Sequence, residues 1–175
     1  MKLPVYKLKL VRDHWATYPE PVFTRPQLAA LFFHRLIGQA ACEHAAAVFL
    51  DAKGVPLGAT IIAVGSLLQV PMLGREVFKA AVVANACALI VSHNHPSGSA
   101  DPSPEDLRVN RRLVEAGQLL GILMLDHIIV TPNGNYFSIQ EANLMDPSRS
   151  DNRELAPTTG ATTKHQVPLG GGRRS

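Results

Sequence analysis

The chain has 175 residues and a mass of 18.9 kDa; 46% of the residues are hydrophobic and 18% are charged. This length suits one domain with one core, and the apolar fraction excludes a chain that is disordered throughout. The formal net charge is +3, of which residues 146–175 alone carry +2. The remainder is nearly neutral, which argues against the extended basic face of a nucleic-acid-binding protein.

The sequence contains no sign of a membrane span or a signal peptide. No apolar stretch approaches the roughly 18 residues that a span needs, and charges interrupt the segment Met1–Lys9. Cys42 and Cys87 cannot form a disulfide framework or a zinc ribbon, and their Ala-rich surroundings predict buried free thiols. We therefore expect a protein of the reducing cytoplasm that does not enter membranes.

The predicted elements begin after an extended, proline-rich lead-in over residues 1–22. Thr24 is the predicted N-cap of an amphipathic helix that Gly38 ends. Two apolar runs, His44–Leu50 and Val55–Val64, flank an Asp/Gly turn, and this arrangement predicts a β-hairpin.

Helices and strands alternate in the second half of the chain. In order they are the helix Arg75–Ala86, the buried strand Ala88–Ser92, the helix Pro104–Leu120, the strand Ile122–Val130, its hairpin partner Tyr136–Ser138 and a short helix Glu141–Met145. This order predicts an α/β fold with a mixed sheet flanked by helices. Residues 146–175 contain almost no large apolar side chains, so we predict a disordered tail.

The segment Ser92–Gly98 carries the most informative residues. His93 and His95 are two positions apart, so on a strand both project from the same face. The next helix places Asp106 in its first turn, facing back toward the loop. Two imidazoles, one carboxylate and an open fourth position are typical of a catalytic zinc site, in which the pKa of bound water falls to about 7.

These residues also have simpler explanations. A single histidine on a strand is more often packed or exposed than bound to a metal. Ser103 and Asp106 together form a helix capping box, with Pro104 at the first helical position, although capping leaves a carboxylate oxygen free for a metal. The contiguous letters of His93-Asn94-His95 do not indicate the HNH nuclease motif, whose residues are dispersed.

The order His93-Asn94-His95-Pro96, then Ser103 and Asp106, resembles the JAMM metalloprotease signature. The flanking segments Arg75–Ala81, Arg112–Gly117 and Leu125–Val130 are similar to the RadC-like branch of the JAB/MPN family, and the resemblance extends over about Phe23–Leu144. It implies a domain over residues 23–145 with a cytidine-deaminase-like mixed sheet. It also implies one zinc ion per chain, bound by His93, His95 and Asp106, with Ser103 hydrogen-bonding the oxyanion or the zinc-bound water.

The same resemblance requires a glutamate upstream as the general base. Glu43, at the start of the first predicted strand, matches that position, and it would take a proton from the attacking water and return it to the leaving amine. From the residues alone, Glu43 is an ordinary exposed carboxylate at a strand entrance. Glu76 is the fallback, although we expect it on a helix outside the site.

Asp126 and His127 follow on a predicted strand, where adjacent side chains face opposite ways. At most one of them can therefore point at the site. That residue could orient a ligand imidazole, although we favour a packed, hydrogen-bonded strand residue. His14, His34, His44 and His165 have no ligand partner at a useful spacing.

The resemblance implies a zinc-dependent hydrolase that cleaves peptide or isopeptide amides, with a peptide or protein-conjugate substrate. Two alternatives stay open: a DNA-repair-associated accessory protein with weak nucleic-acid binding, and a non-catalytic MPN interaction domain. We find no counterpart of the helix-hairpin-helix region of longer RadC-type proteins. Leu73-Gly74 replaces a common His-Pro, and Gly65-Ser66 replaces an expected Gly-Thr, which affects the expected substrate groove.

Overall fold

The computed structural model describes residues 2–18, 22–145 and 165–167. In this part of the chain the helices and strands follow an α/β order. They are α1 (Pro26–Ile37), β1 (His44–Leu50), β2 (Pro56–Val64), α2 (Gly74–Val83), β3 (Ala88–Asn94), α3 (Pro104–Leu120), β4 (Leu123–Val130), β5 (Asn135–Ser138) and β6 (His165–Gln166).

The six strands form one mixed sheet in the order β2-β1-β3-β4-β5-β6. The neighbours β3 and β4 are parallel, whereas the other pairs are antiparallel. A parallel pair needs a crossover connection, and α3 provides it. The predicted α/β class, the mixed sheet and the two hairpins are confirmed.

Helices cover both faces of the sheet. Helix α1 packs on one face through Ala30, Phe33 and Ile37, against strand residues of even number such as Val48 and Ile90. Helices α2 and α3 pack on the other face, and their core residues are Val77, Phe78, Ala81 and Leu113. Strand residues with odd numbers in β1 and β3, such as Phe49, Leu89 and Val91, face this second layer. Because the side chains of β3 alternate between the two faces, its odd-numbered polar side chains face α3 and its even-numbered ones face α1.

Helix α1 begins one residue later than the predicted capping box requires. Its N-cap is Arg25, which has an extended backbone (φ −144°, ψ 145°) and makes no side-chain cap bond. A residue before proline is disfavoured in helical conformation, so Pro26 keeps Arg25 extended and Thr24 outside the helix. The predicted cap at Thr24 is wrong.

Two further predictions need correction. Residues 141–145 do not form a helix: residues 141–143 lie in a turn, and Asn143, the last of them, has a left-handed backbone (φ 58°). Cys87 is exposed and Cys42 is only half-buried, because each lies just outside a strand, where the sheet no longer covers it.

The two segments that flank the predicted domain differ in structure. Residues 2–18 form neither helix nor strand and are exposed. The predicted disorder of residues 146–175 is wrong for residues 165–167, since His165–Gln166 form β6 and Val167 is buried. For residues 146–164 and 168–175 this prediction lies outside the described residues. None of the described helices is long and apolar enough to cross a bilayer.

Candidate metal centre

The candidate site lies where β3 ends and α3 begins. His93 is within β3 and shares the face of Val91, toward α3. His95 follows the strand, and its backbone N–H donates to the Val130 carbonyl 2.9 Å away, which keeps the backbone at the edge of β4. Asp106 lies in the first turn of α3.

The ligand atoms of these three residues converge. The Nε2 atoms of His93 and His95 are 3.0 Å apart, and Asp106 places Oδ1 3.2 Å from His93 Nε2 and Oδ2 3.7 Å from His95 Nε2. Ligands about 2.0–2.1 Å from a tetrahedral zinc ion lie about 3.3 Å from one another. Among the described residues, this is the only group of three or more His, Cys, Asp or Glu side chains able to hold a metal.

The second nitrogen of His95 indicates the tautomer. Its Nδ1 is 2.8 Å from the Ser99 carbonyl, which can only accept a hydrogen bond. In the neutral ring Nδ1 therefore carries the hydrogen, and the lone pair of Nε2 points into the cluster. A metal-ligating histidine has this arrangement, in which its other ring nitrogen donates to a carbonyl.

Asp106 is both a capping residue and a member of the cluster. Its Oδ2 accepts from the Ser103 backbone N–H at 2.7 Å and from the Ser103 hydroxyl at 2.6 Å, and its own N–H donates to Ser103 Oγ at 3.1 Å. Burial alone raises the pKa of Asp106, but the contacts with His93 and His95 hold it well below its usual range. The Ser103 hydroxyl is directed at Asp106, so its contact with an oxyanion or water stays a prediction.

Glu43 lies immediately before β1, held by its backbone. Its N–H donates to the Ser66 carbonyl at 2.8 Å, and its carbonyl accepts from the Gly65 N–H at 2.8 Å. The side chain is only 8% exposed, so the ordinary exposed carboxylate of the sequence reading is wrong.

The Glu43 carboxylate belongs electrostatically to the cluster. Burial raises its pKa, His93 and His95 oppose that rise, and Asp106 adds to it. The Val70 backbone N–H donates to the carboxylate. The structure thus places Glu43 close enough to the three candidate ligands for their charges to affect its pKa.

Glu76 is not part of this arrangement. It lies on α2, is half-buried, and forms ion pairs with Lys79 and Arg75. The hydrogen bond from Lys79 lowers its pKa. The expectation that this glutamate lies on a helix outside the site is confirmed.

Sequence reasoning missed the role of Asn94, between the two histidines. Its side chain is fully buried and faces away from the cluster, toward the segment that precedes β1. Its Nδ2 donates to the carbonyls of Ala40 (3.3 Å) and Cys42 (3.2 Å), and its Oδ1 accepts from the His44 N–H (2.6 Å). The strand alternation could have revealed it, since a buried asparagine needs hydrogen-bond partners.

Asp126 and His127 face opposite sides of the sheet, as the alternation predicts. Asp126 accepts from the Ser138 hydroxyl at 2.6 Å and from the Gln140 N–H at 3.0 Å, and burial raises its pKa. His127 is fully buried, and its Nε2 lies 2.9 Å from His93 Nδ1. Burial and the neighbouring His93 keep the pKa of His127 well below its usual value.

The chain is similar to proteins of one family. The family model described as a RadC-like JAB domain matches residues 23–144. A UPF0758 protein of Moorella thermoacetica is 47% identical over 103 residues, which are 59% of this chain and 44% of that relative. A UPF0758 protein of Methanococcoides burtonii is 43% identical over 99 residues, 57% of this chain and 43% of the relative.

A longer match is the UPF0758 protein of Desulfitobacterium hafniense, 42% identical over 125 residues, which are 71% of this chain and 55% of the relative. The chain thus spans about half the length of the curated relatives it matches. The family match covers every member of the candidate metal centre, Glu43 and Ser103. The mixed sheet, the covering helices and this match agree, and the chain belongs to the RadC-like JAB domain family.

Proposed function

We propose that the protein is a zinc-dependent hydrolase of the JAMM type that cleaves peptide or isopeptide amides. The observation that carries this proposal is the convergence of His93 Nε2, His95 Nε2 and an Asp106 oxygen beside the buried carboxylate of Glu43. The substrate would be a peptide or a protein conjugate, and the expected compartment is the cytoplasm.

His93, His95 and Asp106 would hold the zinc ion, which would supply a Lewis acid for the scissile carbonyl and a water of lowered pKa. Glu43 accepts the proton of the attacking water and returns it to the leaving amine. Burial raises the pKa of this carboxylate, which brings it closer to the range that suits a general acid and base near neutral pH. Ser103 donates to the oxyanion, for which its hydroxyl turns away from Asp106.

Metal content tests the first half of this proposal. We expect one zinc ion per chain in the purified protein and its loss in His95→Ala, because two ligands do not complete the site. Wild-type protein without zinc, or stoichiometric zinc retained by His95→Ala, would contradict the proposed metal centre.

Activity tests the second half, with fluorogenic peptides and a lysine-isopeptide-linked peptide as probes. Glu43→Gln should lower the rate by about 10²–10⁴-fold, the usual contribution of a general base, without loss of zinc. Glu76→Gln is the matched control, since it makes the same change at a half-buried carboxylate outside the site. Equal, measurable rates in wild type and Glu43→Gln would contradict the role of Glu43 as the base, and a zinc-loaded wild type that cleaves none of the probes would favour the non-catalytic alternative.

A further inference from the structure

His127 is buried in the sheet and also contacts His93, one of the three candidate ligands. It lies on β4, which runs parallel to β3, and its register partner is Val91. Val91 and His93 project from the same face of β3, so the His127 ring lies on the side of His93 that is away from Asp106. The ring centroids of His93 and His127 are 5.0 Å apart, and the facing nitrogens are 2.9 Å apart.

The two nitrogens of His93 therefore have opposite surroundings. Nε2 faces His95 and Asp106, whereas Nδ1 faces His127 and no other polar group of the described residues. If Nε2 binds a metal through its lone pair, a neutral His93 must carry its hydrogen on Nδ1. The partner of that N–H is His127 Nε2, which must then accept, so His127 carries its own hydrogen on Nδ1.

His95 and His93 differ in how firmly this tautomer is set. The Ser99 carbonyl can only accept a hydrogen bond, so it fixes the tautomer of His95 whatever the other groups of the site do. An imidazole can either donate or accept, so the contact with His127 fixes His93 only while His127 keeps the Nδ1–H form. Within the described part of the chain, His127 Nδ1 has no hydrogen-bond partner.

We infer that His127 is a positioning residue for metal binding: it accepts a hydrogen bond from His93 Nδ1–H and so directs the lone pair of His93 Nε2 at the ion. This inference rests on the proposed function, because it presupposes a metal at His93. Most ligand histidines donate to a carboxylate, a carbonyl or water. Here a neutral, fully buried imidazole takes that place, which adds no charge to the centre.

Zinc affinity, measured by competition with a chromophoric chelator, tests this inference. His127→Leu removes the acceptor and should weaken zinc binding by about 10–100-fold, the usual effect of removing such a partner. His127→Gln keeps an amide oxygen that can accept from His93 Nδ1–H, and we expect it to recover part of the loss. With cobalt as the probe, the visible absorption should change in His127→Leu and return toward wild type in His127→Gln.

His34→Leu is the matched control for a lost buried histidine. His34 is also buried, and its Nδ1 is 3.1 Å from the Thr131 carbonyl, but it lies on α1 outside the centre. It should lose stability without a change in zinc affinity. If the wild type binds one zinc ion and His127→Leu binds it equally tightly, the role of His127 is wrong and the proposed metal centre stands.

Long-range ¹H–¹⁵N spectra of the histidine rings in the wild type provide a test that does not depend on the folding of a variant. In the zinc-loaded protein, His93 and His127 should both be protonated at Nδ1. A His127 ring protonated at Nε2 would overturn the inference. A wild type that binds no zinc would overturn it together with the proposed function.

Discussion

At the residue scale, Asn94, which lies between the two candidate histidine ligands, fixes the backbone that carries the candidate base Glu43. Asn94 bonds to the backbone of residues 40–44, and Glu43 is further held through its own N–H and carbonyl. The buried Glu43 carboxylate is costly to ionise without a metal nearby, because burial disfavours its charge. A buried carboxylate that lowers stability indicates that Glu43 has a functional role.

This cost gives a prediction for metal-free protein. Burial raises the pKa of Glu43, so the folded state holds the proton more tightly than the unfolded state. The resulting stability is present below the unfolded pKa and is lost as the pH rises through the folded pKa. Glu43→Gln has no such loss and should be more stable than the wild type at pH 7, by about 0.5–1 kcal/mol.

Urea unfolding at several pH values, with a chelator present, measures this difference. The advantage of Glu43→Gln should shrink as the pH falls toward 4, where the wild-type carboxyl is protonated. Glu76→Gln, at a carboxylate whose pKa is lowered by Lys79, should show no such advantage at neutral pH. A Glu43→Gln variant less stable than the wild type at pH 7 would contradict the argument.

At the scale of elements, the loop between β2 and α2 supports the site. Ser66 and Gly65 bond to the backbone of Glu43, and Val70 donates its N–H to the carboxylate. The loop folds back tightly at Gly65, where an added Cβ would lie 2.1 Å from the Gln69 carbonyl oxygen and 2.6 Å from Val70 Cα. No side chain fits at residue 65 unless the loop moves.

Gly65→Ala should therefore destabilise the protein by about 1–3 kcal/mol, as overpacked sites do. Displacement of Val70 should also weaken the hydrogen bond to Glu43. Gly58→Ala is the control. Gly58 lies on the preceding strand β2, and an added Cβ there would have no heavy atom within 4 Å. Thermal unfolding should leave Gly58→Ala unchanged or slightly more stable. Equal effects of the two substitutions would contradict this account of the loop.

At the scale of the whole molecule, the sheet is completed by residues distant in sequence. Strand β6 pairs with β5, and His165 stacks on Tyr136 with ring centroids 5.4 Å apart. Val167 is 2% exposed and joins the core on the α1 side of the sheet. A segment of mostly polar composition thus supplies one buried apolar side chain to the domain.

Val167→Ala should lower the free energy of unfolding by about 1–3 kcal/mol, through lost burial and an added cavity. Val5→Ala makes the same substitution at a side chain that is 95% exposed and should change stability by no more than about 0.5 kcal/mol. Denaturant unfolding of both variants checks the contrast. An unchanged stability in Val167→Ala would show that β6 contributes nothing to the fold.

Periodicity and turn chemistry predicted most of the fold, because α2, α3 and the strands β1, β3 and β4 bury whole faces. They could not predict β6, since a two-residue strand has no period and its partner β5 lies more than 25 residues earlier. The three candidate ligands were predictable because they lie close together in sequence. Glu43 needed a family resemblance, and the contact between His93 and His127 depends on strand register, which the sequence does not specify.

The placement of Asn94 between His93 and His95 has a consequence for thermal motion. Residues that are adjacent in the chain cannot separate. When β3 shifts, both imidazoles and the Asn94 side chain that bonds to residues 40–44 shift with it. Sliding between β1 and β3 is thus coupled to the backbone that carries Glu43 and changes its spacing from the imidazoles very little. Vibrations of the sheet should therefore leave the spacing between Glu43 and the two imidazoles nearly constant as the temperature rises.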